Sequence, residues 1–211
     1  MSVFAQIQNR VMQKSRSAKL VHFYSLCQTE SKVLDVGVSN IEFNAQINMF
    51  LNNFKFSSNN YTGLAIDKMD EIRKKHPDKR LVEYPGGVFP FDDNEFDWAF
   101  SNAVIEHVGD KNDQILFLNE MMLVSKNVFF TTPNKYFPME SHTNVLFRHW
   151  SNKHFYRWCE RHNPYWSINN LLLLDHKELE SLMNSSIAST YKIYKNKLMG
   201  LTMTFTVTCS K

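Results

Sequence analysis

Two acidic residues stand in short apolar runs in the first third of the chain. Asp35 interrupts a run of Val33, Leu34 and Val36, which is typical of a strand buried on both faces. A lone carboxylate there costs free energy unless a partner satisfies it. Asp67 ends the next run, where its two oxygens could accept hydrogen bonds from both hydroxyls of a ribose. Asp67 could equally cap the helix that follows, and the two roles are compatible.

Glycines follow two of the predicted strands. Gly37 comes directly after the first strand, and Gly86 and Gly87 follow the third. A residue without Cβ lets another molecule approach the backbone closely, although the second pair could also form a plain turn. Residues 39–42 match a capping box, which predicts a helix from there to about Leu51. A strand, a tight glycine turn and a helix together are how an open parallel sheet builds a small-molecule site.

Hydrophobic periodicity predicts the elements that must hold these residues. Five short strands alternate with helices, which is typical of a doubly wound, mostly parallel sheet. Right-handed crossovers would bring the ends of strands one, two and four to one edge. A terminal hairpin would add an antiparallel edge. Beyond the first strand, strands are predicted at residues 61–66, 80–84, 96–100, 127–131, 191–198 and 201–209, and further helices at 4–26, 69–75, 113–123, 152–162 and 175–183.

The N-terminal helical segment is predicted over residues 1–28, with a break near residues 15–17. Lys14, Arg16 and Lys19 form a basic patch on it, which is typical of a solvated helix face. A helix that precedes the first strand could instead cover a ligand.

Size and composition limit the class of protein. The chain has 211 residues, 43% of them hydrophobic, and this predicts one domain over 1–211, with or without a lid. A net charge of +3 is too mild to indicate a nucleic-acid partner. No signal peptide or membrane-spanning run is evident. Three cysteines without a CxxC motif are typical of reduced thiols in a cytoplasmic protein: Cys27, Cys159 and Cys209.

Residues 135–168 interrupt the alternation of strands and helices and are rich in histidine and aromatic residues. Ser151 is predicted to cap the helix over 152–162. The segment could be a lid over a substrate pocket, and its aromatic residues could then touch a lipid-linked acceptor at a membrane surface. It could also be an RNA-binding patch, or simply a helix packed on the sheet. The candidate metal ligands in this segment are His149, His154, Cys159 and His162. Their spacing matches no familiar ligand set, so no metal site is predicted.

Taken together, the motifs resemble those of the class I S-adenosylmethionine-dependent methyltransferases over residues 30–211. Residues 129–138 and 140–143 further resemble a bacterial subgroup associated with surface-polysaccharide genes. The segments that carry the resemblance are VLDVGVSN at 33–40, LAID at 64–67, FPFDDNEFDWAFSNAVIEHV at 89–108, FFTTPNKYFP at 129–138 and ESHT at 140–143.

The resemblance implies a seven-stranded Rossmann-like sheet and S-adenosyl-L-methionine as cofactor. It assigns four groups of cofactor-binding residues along the strand ends. These are Asp35 and Gly37 at the methionine end, Asp67 with Lys68 at the ribose, Gly86, Gly87 and Val88 at the adenine, and Ser101, Asn102 and Ala103 near the sulfonium.

The chain departs from the family pattern at three positions. Ser39 and Ile41 stand where further glycines are usual, and Pro85 stands where an acidic residue usually meets the adenine. A binding or partner subunit without catalysis therefore stays open as an alternative. A nicotinamide dehydrogenase is disfavoured because no GxGxxG motif is present.

The resemblance suggests O-methylation of a sugar or other small hydroxyl acceptor in surface-glycan biosynthesis, with a nucleic-acid acceptor as the alternative. A hydroxyl acceptor benefits from a base near neutral pKa, and His107 and His142 are the candidates. His107 follows the fourth strand and His142 the fifth, so both could reach one cleft. Glu140 could orient His142. Either histidine could instead have an ordinary packing role.

Overall fold

The computed structural model of the chain describes residues 3–43 and 46–211. Strands and helices alternate along most of its length, as the periodicity predicts. The strands are β1 (Val33–Val36), β2 (Tyr61–Ala65), β3 (Arg80–Glu83), β4 (Phe96–Asn102), β5 (Ser125–Pro133), β6 (Thr190–Leu198) and β7 (Leu201–Ser210). The α-helices are α1 (Val3–Leu26), α2 (Met49–Asn52), α3 (Asp70–Lys75), α4 (Lys111–Val124), α5 (Asn152–His162) and α6 (His176–Ser185).

The seven strands form one sheet in the order β3-β2-β1-β4-β5-β7-β6. Neighbours from β3 to β5 pair in parallel, whereas β7 runs antiparallel to both β5 and β6. The predicted doubly wound, mostly parallel sheet with a terminal hairpin is confirmed. Chain order reverses at β1, which lies between β2 and β4, so a ligand site is expected outside the carboxyl ends of these strands.

Helices cover both faces of the sheet and bury its apolar side chains. On one face, Leu118 of α4 and Leu182 of α6 are fully buried in the same cluster. On the other face, Phe23 of α1 packs edge-on against Phe100 of β4 and Phe129 of β5, with ring centroids 5.1 Å and 5.4 Å apart. This aromatic packing anchors the end of α1 and thereby brings its preceding turns toward the strand ends.

Two expectations about the helices near β1 are wrong. α1 runs without a break through residues 15–17, because nothing in that run prevents the helix from continuing. After β1, only the single turn of α2 is helical, and residues 44–45 lie outside the described part. Ser39 does not cap a helix: its N–H donates to Asn48 Oδ1 at 2.8 Å, and Asn48 Nδ2 donates back to the Ser39 carbonyl at 2.7 Å. This pair closes a loop where a long helix was expected.

Helix starts elsewhere differ in which residues cap them. Asp67 does not cap α3; Asn40 Oδ1 accepts from the Glu71 N–H at 2.9 Å instead. Asp175 and Glu178 form the predicted capping box of α6. Between β4 and α4, the sequence AVIEHV forms only a short 3-10 turn over Ile105–His107.

Residues 135–168 contain α5, which begins at the predicted residue, although the Ser151 side chain makes no capping hydrogen bond. Phe155 and Cys159 are buried with Leu171 in a small separate cluster. His162 is exposed and stacks on Trp158. The three cysteines are free thiols. No helix formed by the described residues has both the length and the apolar character that a membrane span requires.

Candidate functional site

Three neighbouring cavities follow the edge formed by the carboxyl ends of the parallel strands. The glycine cavity, of about 310 Å³, lies beside the loops after β1, β2 and β3. The helix cavity, of about 180 Å³, lies between β1 and α1, and the apolar cavity, of about 390 Å³, lies beyond β4. Gly37 and Val104 border both the glycine and helix cavities, whereas Asn102 and Ala103 border both the helix and apolar cavities. These shared wall residues make the three cavities neighbours along one edge, and we call the three together the cleft.

Three glycines contribute side-chain-free backbone to the wall of the glycine cavity. Gly86 and Gly87 have φ of 93° and 76°, and no heavy atom lies within 4 Å of where a Cβ would stand on either. Gly37, with φ of 99°, differs because a Cβ there would lie 2.3 Å from Val104 Cγ2. Val104 therefore packs directly on Gly37, at the boundary of the glycine and helix cavities. Ile66, next to Asp67, also lines the cavity.

Asp35 is buried at the floor of the helix cavity. Its Oδ2 accepts a hydrogen bond from the Tyr61 hydroxyl at 2.6 Å, which supplies the partner that a carboxylate in a buried strand needs. Burial raises the pKa of Asp35 to about 7, even though the Tyr61 hydrogen bond acts in the opposite direction. At neutral pH, Asp35 is thus balanced between its neutral and charged forms.

The basic residues of α1 turn toward the cleft rather than toward solvent. Lys19 is only 7% exposed and borders both the helix and apolar cavities, as does the half-buried Arg16. Burial, and then the charge of Arg16, lower the pKa of Lys19 to about 8. The expectation of a solvated basic face holds for Lys14 alone. Because the helix covers the cleft, the reading in which it shields a ligand fits the structure better.

The end of β4 contributes one polar side chain and one unusual backbone conformation to the cleft. Asn102 Oδ1 accepts from Thr131 Oγ1 at 2.8 Å, and Ala103 has a positive φ of 58°. Ser101, predicted to line the site, is instead fully buried and donates to the Val36 carbonyl at 3.2 Å. Its contact ties the end of β4 to the end of β1.

Besides Ser101, three further predicted cofactor residues lie outside these cavities. Asp67 and Lys68 are exposed directly after β2, beside Ile66, and Val88 is 72% exposed after the glycine pair. None of the three lines the glycine, helix or apolar cavity. Asp67 directly follows Ile66, which lines the glycine cavity.

The two predicted catalytic histidines are in contact, although 35 positions separate them. His107 Nε2 and His142 Nε2 are 3.1 Å apart. His142 Nδ1 lies 2.6 Å from Glu140 Oε1, as expected of an orienting carboxylate, and His107 Nδ1 lies 2.9 Å from the Asn170 carbonyl oxygen. Trp166 packs on both imidazoles, with ring centroids 5.6 Å and 5.1 Å away. These contacts hold both rings in fixed orientations.

Glu140 and His142 shift each other's protonation. Burial raises the pKa of Glu140, but hydrogen bonds from His142 and Thr143 outweigh it and lower that pKa to about 2. Burial likewise opposes the charged form of His142, whereas the hydrogen bond and charge of Glu140 raise its pKa above the ordinary value. Glu140 is therefore a charged carboxylate beside the His142 imidazole.

Glu106, which the sequence did not single out, joins these histidines. Its side chain is 0% exposed, and its Oε2 accepts from Thr132 Oγ1 at 3.2 Å. Its Oε1 is buried and has no hydrogen-bond partner among the described residues. The sequence offered one sign that Glu106 belongs to the site: it directly precedes the predicted catalytic residue His107, in a turn after a buried strand. We call Glu106, His107 and His142 the histidine cluster.

The apolar cavity is the largest of the three. His142 lines it from the histidine cluster, and the buried His149, whose Nε2 lies 2.8 Å from the Phe137 carbonyl oxygen, lines it from the segment after β5. Most of the remaining wall is apolar: Val11, Met12, Pro133, Phe137, Pro138, Met139, Leu173, Leu198, Met199 and Met203.

The metal set considered for residues 135–168 does not assemble within the described residues. His149 and Cys159 are buried, whereas His154 and His162 are exposed. In the part of the chain that the structure describes, one group brings three suitable side chains together, and it is the histidine cluster.

Solved structures of methyltransferases share this architecture. A SAM-dependent methyltransferase from Methanosarcina mazei matches with a TM-score of 0.56 and 14% identity, covering 90% of this chain and 96% of its own. One from Thermotoga maritima, described as a possible histamine N-methyltransferase, matches with a TM-score of 0.56 and 15% identity over 98% and 95%. A SAM-dependent methyltransferase from Aquifex aeolicus matches with a TM-score of 0.54 and 12% identity, covering 94% of this chain and 97% of its own.

No protein-family model matches the sequence, and no curated protein matches it. The structural likeness, at 15% identity or less, establishes the fold: the chain has the Rossmann-like fold of SAM-dependent methyltransferases. Because one fold hosts many activities, the chemistry has to be argued from the cleft.

Proposed function

We propose that this protein is a single-domain methyltransferase that transfers the methyl group of S-adenosylmethionine to a hydroxyl acceptor. One observation carries the proposal: a glycine-containing cavity, a charged cavity and an apolar cavity lie side by side along the strand ends, with two oriented histidines beside them. A nucleoside donor with a charged amino-acid tail and an apolar acceptor would match that arrangement.

The donor would occupy the glycine and helix cavities. Its adenine would lie against Gly86 and Gly87, where no Cβ limits approach, and its ribose would reach Asp67. Its methionine carboxylate would extend toward Lys19 and Arg16, which supply positive charge where burial makes an ion pair strong. The sulfonium would then lie beside Ala103, facing the apolar cavity.

Methyl transfer is an in-line displacement that depends mainly on alignment. The acceptor oxygen attacks the methyl carbon, a C–O bond forms, and the C–S bond breaks to leave a thioether. The proton of the acceptor hydroxyl would pass to His142 Nε2, while Glu140 holds the Nδ1 of the same ring. His107 lies between His142 and the glycine cavity.

The acceptor would bind in the apolar cavity, which residues 137–142 and His149 of the predicted lid help to line. A sugar hydroxyl remains the predicted acceptor. The apolar wall favours a sugar that carries an apolar group, such as a lipid-linked precursor of a surface glycan, over a free polar sugar. Peripheral contact with a membrane would follow from such an acceptor.

A non-catalytic partner subunit is the second candidate. Val104, packed on Gly37 at the boundary of the glycine and helix cavities, favours it, as do the departures at Ser39, Ile41 and Pro85. In a catalytic protein, Val104 would change its rotamer when the donor binds.

Calorimetry with S-adenosylmethionine tests the proposal. We expect micromolar binding by the wild type and a loss of at least about tenfold in Asp67→Ala, because the ribose would lose a charged hydrogen-bond acceptor. Asp70→Ala is the matched control, since Asp70 is also exposed but lies at the start of α3. No heat at millimolar S-adenosylmethionine would support the non-catalytic candidate instead.

A further inference from the structure

The histidine cluster brings three potential metal-ligand atoms into one place. One donor atom from each of Glu106, His107 and His142 lies within 4.8 Å of the other two. Glu106 and His107 belong to the turn after β4, and His142 belongs to the segment after β5. Separate parts of the chain therefore hold the three groups.

Hydrogen bonds fix which nitrogen of each imidazole is free. The Asn170 carbonyl and the Glu140 carboxylate only accept hydrogen bonds, so the Nδ1 of His107 and of His142 each carry the hydrogen. In the neutral rings, each Nε2 then presents a lone pair, and the two Nε2 atoms face each other at 3.1 Å. Two lone pairs at that distance repel unless a proton or a metal cation lies between them. Metal-binding histidines typically have their second nitrogen held in this way.

The environment of Glu106 favours a metal cation over a shared proton between the two Nε2 atoms. A proton shared by the two histidines would satisfy both Nε2 atoms but would leave Glu106 Oε1 buried without a partner. Arg16 and Lys19 act on Glu106 through their charge, yet neither donates a hydrogen bond to it among the described contacts. A divalent cation would satisfy all three groups at once.

We propose that Glu106, His107 and His142 bind a divalent transition-metal cation, for which Zn²⁺ is the probe. Two imidazoles and one carboxylate are the donor set of catalytic zinc sites that keep an open position. Two ligands at about 2.1 Å in a tetrahedral site lie about 3.4 Å apart, close to the observed Nε2 separation. His142 borders the apolar cavity, so the open position would face it. With the cation bound, His142 would act as a ligand instead of as the base, and a hydroxyl at the open position would lose its proton to solvent more readily.

Zinc titration of the full-length, chelator-treated protein tests this site. The expected result is one Zn²⁺ per chain by calorimetry, with affinity lowered by at least about 100-fold in His107→Ala and in His142→Ala. Glu106→Gln keeps the size of the side chain and its acceptor for Thr132, and we expect it to weaken binding by about 10-fold to 100-fold. His154→Ala, which removes an exposed histidine of α5, is the matched control and should bind like the wild type.

Cobalt spectroscopy separates this site from the free cysteines. Co²⁺ bound at the histidine cluster should give visible d–d absorption without a sulfur charge-transfer band. Glu106→Gln should need about 10-fold to 100-fold more Co²⁺ to give this signal, while its circular dichroism stays that of the folded protein. The proposal is overturned if the wild type binds no Zn²⁺, if sulfur ligation appears, or if His154→Ala weakens binding as much as His142→Ala. Because neither titration contains S-adenosylmethionine, the outcome does not depend on the proposed methyl transfer.

Discussion

The glycine cavity and the histidine cluster lie along the same sheet edge but are built differently. The loops after β1 and β3, which contain Gly37, Gly86 and Gly87, help to line the first. Side-chain contacts over long sequence separations build the second, with His107 meeting His142 and both packing on Trp166. The comparison teaches that strand order alone positions the donor side, whereas the acceptor side depends on how residues 135–168 fold back.

Removing a histidine should affect catalysis but not donor binding. We expect His142→Ala to lower turnover by about 100-fold or more, because the acceptor proton loses its oriented partner, with S-adenosylmethionine affinity within about threefold of wild type. Release of S-adenosylhomocysteine measures turnover, and calorimetry measures affinity. His154→Ala is the control. An unchanged rate would remove His142 from the mechanism, and a parallel loss of donor affinity would erase the distinction between the two regions.

Adding a methyl group at Gly37 should disturb the donor side. Gly37→Ala places a Cβ against Val104 at a backbone φ of 99°, so we expect a loss of about 2–4 kcal/mol in the free energy of unfolding. Gly200→Ala is the matched control, because Gly200 has φ of 83° but open space around its Cβ, and about 1 kcal/mol is expected there. Urea denaturation measures both. Equal losses would mean that Val104 yields easily and does not bar the cavity.

Lys19 borders the helix and apolar cavities. We expect Lys19→Met to weaken S-adenosylmethionine binding by about tenfold, which corresponds to one charged hydrogen bond to the methionine carboxylate. Binding of 5′-methylthioadenosine, which lacks that carboxylate, should stay unchanged. Calorimetry with both compounds checks this, and Lys14→Met, at an exposed position of α1, is the control. Equal weakening of both compounds would place Lys19 elsewhere.

Asp35 should make stability fall as pH rises. Its raised pKa means that the folded protein keeps the proton while the unfolded chain loses it, so stability is full below about pH 4 and declines until about pH 7. The slope is at most about 1.4 kcal/mol per pH unit. Asp35→Asn should remove that slope in urea denaturation series.

Asp97 provides the matched contrast to Asp35. Hydrogen bonds from Lys126 and from the Lys32 N–H outweigh partial burial and lower the pKa of Asp97. Its contribution is therefore present above about pH 4 and is lost as pH falls below that. Asp97→Asn should lower stability at pH 7 and leave it unchanged at low pH. The same pH response in both variants would contradict the assigned environments.

Sequence alone predicted most of the fold because the signals for it are local. Apolar runs located the strands, and Asp175 with Glu178 located the start of α6. The helix expected after β1 failed because a capping pattern at residues 39–42 specifies only a local hydrogen bond, and the Ser39–Asn48 pair competes successfully for it. Local propensity is a weak guide where such tertiary contacts decide.

For the candidate site, the sequence predicted the meeting of two residues but not how deeply the residues around them are buried. The contact of His107 with His142 follows from parallel strand ends sharing one edge. Glu106 was missed because a carboxylate in a turn is ordinarily exposed, and nothing local signals its burial. Lys19 was expected in solvent for the same reason. Burial depends on long-range packing, which periodicity in a single helix does not encode.

A structure with S-adenosylhomocysteine bound tests the central claim most directly. We predict the adenine between Gly86 and Gly87 and the wall of the glycine cavity, the carboxylate near Lys19, and the sulfur beside Ala103, facing the apolar cavity. Val104 would have turned away from Gly37. A nucleoside bound elsewhere, or a cleft still closed by Val104 at saturating ligand, would contradict the account.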